Sequence, residues 1–239
     1  MPPLHHSISS NRILSTLAAR EPIHPVLTRL KPVSLVSAQV LVTHSASVHY
    51  GFFITNGMVC GVTAMNNGIT TADQLIGSEG FAGISLLLGG VTMQPGSVIV
   101  QIAGTAMRID ADVFLHEFNR HGLFRDLMRR YTFSRMASIT QTAACNAVHC
   151  VQERMACCLL RTADRVGPEF KLTHEAIAQM LGNRRATVST QAESFERLKL
   201  ISYRYGRIRI EDRRGLEELA CECYQLNRQV VESVFTLPH

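Results

Sequence analysis

The sequence predicts an α+β chain in three parts: an antiparallel, jelly-roll-like β-roll, a long helix, and two short helices followed by a hairpin. Three observations predict it. Between Val33 and Ile109 the chain runs in short segments divided by glycines, with apolar residues recurring at period two. From Gly122 a helical stripe continues with no breaker before Gly167. From Leu172 to Ile210 two short amphipathic segments flank a glycine, and two strand-like runs follow.

At 239 residues, 46% hydrophobic and 18% charged, the chain can bury a core, which excludes wholesale disorder. No apolar run approaches the roughly 18 residues of a membrane span. Met1 to Ser7 carries neither a basic nor an apolar leader pattern. A cytoplasmic protein without membrane contact is therefore expected, with His5-His6 in solvent. The net charge of +5 is uneven: residues 1–120 hold six Lys/Arg and six acids, residues 121–239 eighteen and thirteen. A basic second half suits a polyanionic partner, although such a surface also serves solubility.

Ile13, Leu14 and Leu17 mark a short helix, followed by a proline-punctuated stretch from Glu21 to Lys31. Val48, Tyr50, Phe52 and Ile54 alternate, as do Val98, Val100 and Ile102. Asn66-Asn67-Gly68 is a hairpin signal, because these residues tolerate positive φ. Near Ala111 the period becomes helical. Phe124, Leu127, Met128, Tyr131, Met136 and Ile139 then form one stripe, with a bend expected near Asn146. A second helix is expected to align Val148, Val151, Met155 and Cys158. Such a long helix either packs on its own roll or forms a seam between two copies, the favoured reading.

The segment Leu172–Ile201 carries the most information. Thr173 can cap a helix whose inner face is Ile177, Met180 and Leu181, and Gly182 ends it. A second helix from about Arg185 turns Val188, Ala192 and Phe195 inward. Two short helices around a glycine turn are the helix-turn-helix pattern, whose second helix enters the major groove of DNA. The outward side chains suit that role. Arg184 and Arg185 can pair with guanine edges, and Ala186, Ser189 and Thr190 can meet bases. Thr173 and Thr187 offer hydroxyls to phosphates. Arg204 and Arg207 flank a turn near Gly206, like a basic wing. The plainer reading is a helical hairpin with a solvated basic face.

Roll, long helix and winged helix-turn-helix, in that order, resemble the Crp/Fnr family of bacterial transcription regulators from about Asn11 to Tyr224. The resemblance implies a cyclic-nucleotide-binding-like sensor domain at 1–120, a dimerisation helix at 121–147 and a winged helix-turn-helix DNA-binding domain at 148–239. It implies a homodimer on a two-fold symmetric double-stranded operator, and contact with RNA polymerase. The matching effector pocket is Gly83-Ile84-Ser85-Leu86 with Met93-Gln94-Pro95-Gly96. Ile84 stands where cyclic-nucleotide binders place a Glu for the ribose, and Gln94 where they place an Arg for the phosphate. Losing that cation removes charge-assisted bonds worth about 1.5–3 kcal/mol each, so ordinary cyclic-nucleotide binding is not expected. Iron–sulfur members carry N-terminal cysteines, whereas the first cysteine here is Cys60. Ala186 and Thr190 replace a Glu and an Arg common in the family's reader, which implies a different half-site.

Cys145 and His149 lie four apart, with Cys150, Cys157 and Cys158 nearby. That spacing can hold a metal, but buried thiols are the commoner outcome. No metal, cofactor or catalytic residue is therefore expected. Cys221-x-Cys223 reads as part of one helix striped by Leu216, Leu219, Cys223, Leu226 and Val230. No nucleophile elbow, P-loop or H-E-x-x-H motif supports an enzyme. The alternative to a DNA-binding regulator is a small-molecule or redox sensor acting through protein contacts, its helix-turn-helix merely structural.

Overall fold

The computed structural model describes residues 8–43, 46–65, 70–88 and 96–236. His5-His6, Asn66-Asn67-Gly68 and Gln94 lie outside them. Helices α1 (Arg12–Arg20) and α2 (Pro25–Thr28) precede strands β1 (Lys31–Leu35), β2 (Val40–Val42), β3 (Tyr50–Ala64), β4 (Thr70–Ile76) and β5 (Phe81–Ala82). A 3-10 turn (Ile84–Leu88) and β6 (Ser97–Asp110) complete the roll. Then come α3 (Ala111–Asn119), α4 (Leu123–Val148), α5 (Val151–Val166), β7 (Glu169–Lys171), α6 (His174–Leu181) and α7 (Arg185–Arg197). Strands β8 (Ile201–Arg204) and β9 (Arg207–Ile210) and helices α8 (Arg213–Leu219) and α9 (Cys223–Phe235) follow.

The roll is an antiparallel sheet in the order β1-β6-β3-β4, with β2 on β6 and β5 on β3. Two long strands, not a series of short ones, form its spine, and β3 pairs with β6 from Tyr50↔Asp110 to Val62↔Ser97. Register shifts between Ile54 and Val59 bend the pair. Glycine is required at that bend, since a Cβ on Gly104 would stand 2.2 Å from the Asn56 carbonyl oxygen. The period-two reading of β3 also fails. Phe52, Phe53 and Ile54 are all buried, because one face lines the roll interior and the other meets the helices.

The helical face of the sheet carries an aromatic core. Phe53, Phe81, Phe114 and Phe124 follow one another at centroid distances of 4.7, 4.9 and 5.4 Å. Tyr131 of α4 joins them, its hydroxyl accepting from Phe81 N and donating to Phe81 O, both at 2.9 Å. Buried Asn11 caps α1 through Oδ1 and donates from Nδ2 to the carbonyls of Ile54 and Gly80. A second core joins α5, α6 and α7 to Met58, Cys60, Ala72 and Leu75 of the roll.

Helix α4 ends at Val148, two residues past the bend expected near Asn146, and Val148 is exposed on it instead of aligning with α5. The break forms because Glu153 accepts from the Cys150 backbone N–H at 2.8 Å, capping α5. A thiol at the cap position gave the sequence reading no start signal. The single stripe through Leu216 and Leu226 also divides. Ala220 adopts an extended conformation between α8 and α9, and Leu226 is 41% exposed.

Candidate nucleic-acid interface

Thr173 accepts from Ala176 N at 3.2 Å and caps α6. Gly182 then takes φ 58°, ψ 42°, the left-handed turn that swings the chain into α7. On α6, Ile177 and Leu181 are buried, as are Val188, Ala192 and Phe195 on α7. Arg154 of α5 donates from Nη2 to the Leu181 carbonyl, placing a cation at the C-terminal end of α6. Gly182→Ala is expected to cost about 1–2 kcal/mol through its left-handed backbone, measured by thermal unfolding. The added Cβ would also approach Thr71 Oγ1 to 3.2 Å.

With the inner face fixed, the outer face of α7 follows from helical period. Arg184, Arg185, Ala186, Thr190 and Glu193 are exposed, whereas Thr187 and Ser189 are half-buried. The Thr190 hydroxyl donates back to Ala186 O at 3.1 Å. Ser189 Oγ lies 3.0 Å from His174 Nδ1, and the His174 ring stacks on Tyr203 at 4.1 Å. His174 therefore locks α6, α7 and β8 together, a role no sequence signal announced. Burial first, then the Arg185 charge, lowers its pKa below the ordinary histidine value.

The hairpin is a three-stranded sheet in the order β7-β9-β8. Its tip, Tyr205-Gly206, has positive φ at both residues, and Tyr205 is fully exposed. The register sets Lys171 opposite Arg207, and Arg207 opposite Arg204. Three exposed cations thus share one rung, with Glu169 3.5 Å from Arg207. Like charges placed opposite each other destabilise a sheet unless an anion offsets them. Lys171 escaped the sequence reading because β7 is only three residues long.

In the roll, Gly83 (φ 117°) abuts Gly51, and Ile84 and Ser85 open the 3-10 turn. They line a mainly apolar cavity of about 330 Å³ that also meets Arg135, Met136 and Ile139 of α4. Ser85 Oγ and Arg135 Nη2 are buried without a hydrogen-bond partner among the described residues.

A roll joined by a long helix to a helix-turn-helix with a basic wing is the arrangement of the Crp/Fnr fold. Residues 153–219 match the Crp-like helix-turn-helix domain. Many solved structures share the fold, and three illustrate it. FixK2 from Bradyrhizobium japonicum has a TM-score of 0.69 at 13% identity, over 80% of this chain and 98% of its own. A Crp/Fnr-family regulator from Thermus thermophilus has 0.60 at 20%, over 80% and 98%. A CooA mutant from Carboxydothermus hydrogenoformans has 0.62 at 17%, over 89% and 97%. No curated protein matches the sequence. The chain has the Crp/Fnr transcription-regulator fold, with a Crp-like helix-turn-helix DNA-binding domain.

Proposed function

We propose that the chain is a non-enzymatic, sequence-specific transcription regulator that binds a two-fold symmetric duplex as a homodimer, in the cytoplasm and with RNA polymerase as a further partner. The carrying observation is the exposed Arg184–Arg185 start of α7 together with the Lys171–Arg207–Arg204 rung of the hairpin, to which His174 ties α7 through Ser189 and Tyr203. A groove-reading helix needs flanking cations to hold it on the phosphates. The division into sensor (1–120), dimerisation helix (121–147) and reader (148–239) belongs to this reading.

The seam is argued from α4. Phe133, Met136, Thr140, Ala143 and Ala147 are all exposed and follow the alternating three- and four-residue spacing of a coiled coil. Phe133 and Met136 are 68% and 61% exposed. The cavity bounded by Gly83, Ile84 and Ser85 meets the same helix, so an occupant would touch the seam directly. Its apolar lining favours an effector less polar than a cyclic nucleotide, with Arg135 to meet one anionic group.

Salt titration with duplex DNA tests the reading: log affinity should fall steeply with log salt, and a flat response would instead favour the sensor acting through protein contacts. Arg185→Ala should lose about 1–3 kcal/mol of discrimination at one base pair, whereas Arg207→Ala should weaken all sequences alike and reduce the salt slope by about one.

A further inference from the structure

A side-chain cluster that DNA reading does not use lies where α4 ends and α9 begins. Cys145 sits in the last turn of α4 and His149 at its C-cap, while Cys221 and Cys223 lead into α9. One ligand atom from each of the four lies within 4.8 Å of the other three. Cys145 Sγ is 3.6 Å from Cys221 Sγ, and Cys223 Sγ is 3.6 Å from His149 Nδ1. A tetrahedral zinc site, with bonds of about 2.3 Å to sulfur and about 2.0 Å to nitrogen, has sulfur–sulfur edges of about 3.8 Å and sulfur–nitrogen edges of about 3.5 Å. The two measured separations already have that size.

Apolar packing accounts for three buried thiols, but not for the imidazole among them. His149 presents Nδ1 to Cys223 Sγ while its Nε2 lies 3.2 Å from the Glu222 carboxylate. A metal-bound histidine characteristically gives its second ring N–H to a carboxylate, which fixes its tautomer. Gln141 Nε2 donates to Cys223 Sγ at 3.1 Å, a further polar contact at that sulfur.

We propose that Cys145, His149, Cys221 and Cys223 bind one zinc-class divalent cation, tying the end of α4 to the start of α9. Three thiolates and one neutral imidazole select a soft or borderline cation over magnesium or calcium. Binding releases the three thiol protons to solvent. Four protein ligands close the coordination shell, so the site is structural. Cys157, whose Sγ is 3.3 Å from Cys221 Sγ, stands beside the set. Occupancy pins α9 across the α4–α5 break, the joint between the long helix and the reader.

The test uses the full chain, purified anaerobically under reducing conditions, stripped with a chelator and titrated with zinc or cobalt(II). One equivalent per chain is expected, with cobalt giving the visible bands of a tetrahedral ion and thiolate-to-cobalt charge transfer. His149→Ala and Cys223→Ser should each weaken binding at least about tenfold, and His149→Cys should retain it. Cys150→Ser, at an exposed position, should leave the stoichiometry unchanged. Because His149 is partly exposed, His149→Ala keeps the test open should Cys223→Ser misfold. Failure of the reduced protein to bind either ion, binding unaltered in His149→Ala, or iron with acid-labile sulfide would each overturn the proposal.

Discussion

Arg165→Ala is expected to lower stability by about 3 kcal/mol, the lower end of the usual cost of breaking a buried ion pair. Arg165 of α5 meets Glu79, in the turn before β5, through Nε at 2.9 Å and Nη2 at 2.7 Å, with both side chains 10% exposed. The pair clamps the roll to the helix that leads into the reader. Removing the guanidinium strands a carboxylate that the Gly77 N–H and the more distant Arg135 charge only partly compensate. Burial alone would raise the Glu79 pKa, but Arg165, the two backbone N–H bonds and Arg135 together hold it below 4.5.

The pH dependence follows from that direction. A carboxyl depressed in the folded state contributes stability that is present above its unfolded pKa and disappears as pH falls through the folded value. Chemical denaturation should therefore show the largest gap between wild type and Arg165→Ala near neutrality, narrowing below about pH 4. A gap that is constant with pH would mean that the pair contributes packing and not charge.

Phe133→Glu should leave the isolated protomer almost as stable as before, because the side chain is 68% exposed. In a two-fold seam the substitution sets two carboxylates against each other and removes an aromatic anchor. The expected cost is on the order of 2–4 kcal/mol of dimer stability, roughly 30- to 1000-fold in dissociation constant. Sedimentation equilibrium reads the dissociation, and operator binding should fall with it, since one reader spans only one half-site. Unchanged dimer affinity would place the seam elsewhere.

The helix-turn-helix was legible because each of its signals is local. Thr173 caps, Gly182 turns left-handed, and the inward residues of α6 and α7 keep helical period. The roll was legible only in outline. β3 has both faces covered, so period-two alternation vanishes where the sheet is best packed. The α4–α5 break was legible only to within a few residues because Cys150 is not an ordinary cap residue, and His174 and Lys171 gain their roles from partners on other elements.

By itself the sequence determined the order of roll, long helix and reader, the inner faces of α6 and α7, and the basic balance of the second half. Periodicity, capping and composition act within a few residues, so one strand of text records them. Only the tertiary structure decided that Lys171, Arg207 and Arg204 share a rung, that Arg165 neutralises Glu79, and that Cys221 and Cys223 converge with the distant Cys145 around His149. Those juxtapositions depend on how whole elements pack against one another, and no local preference along the chain encodes them.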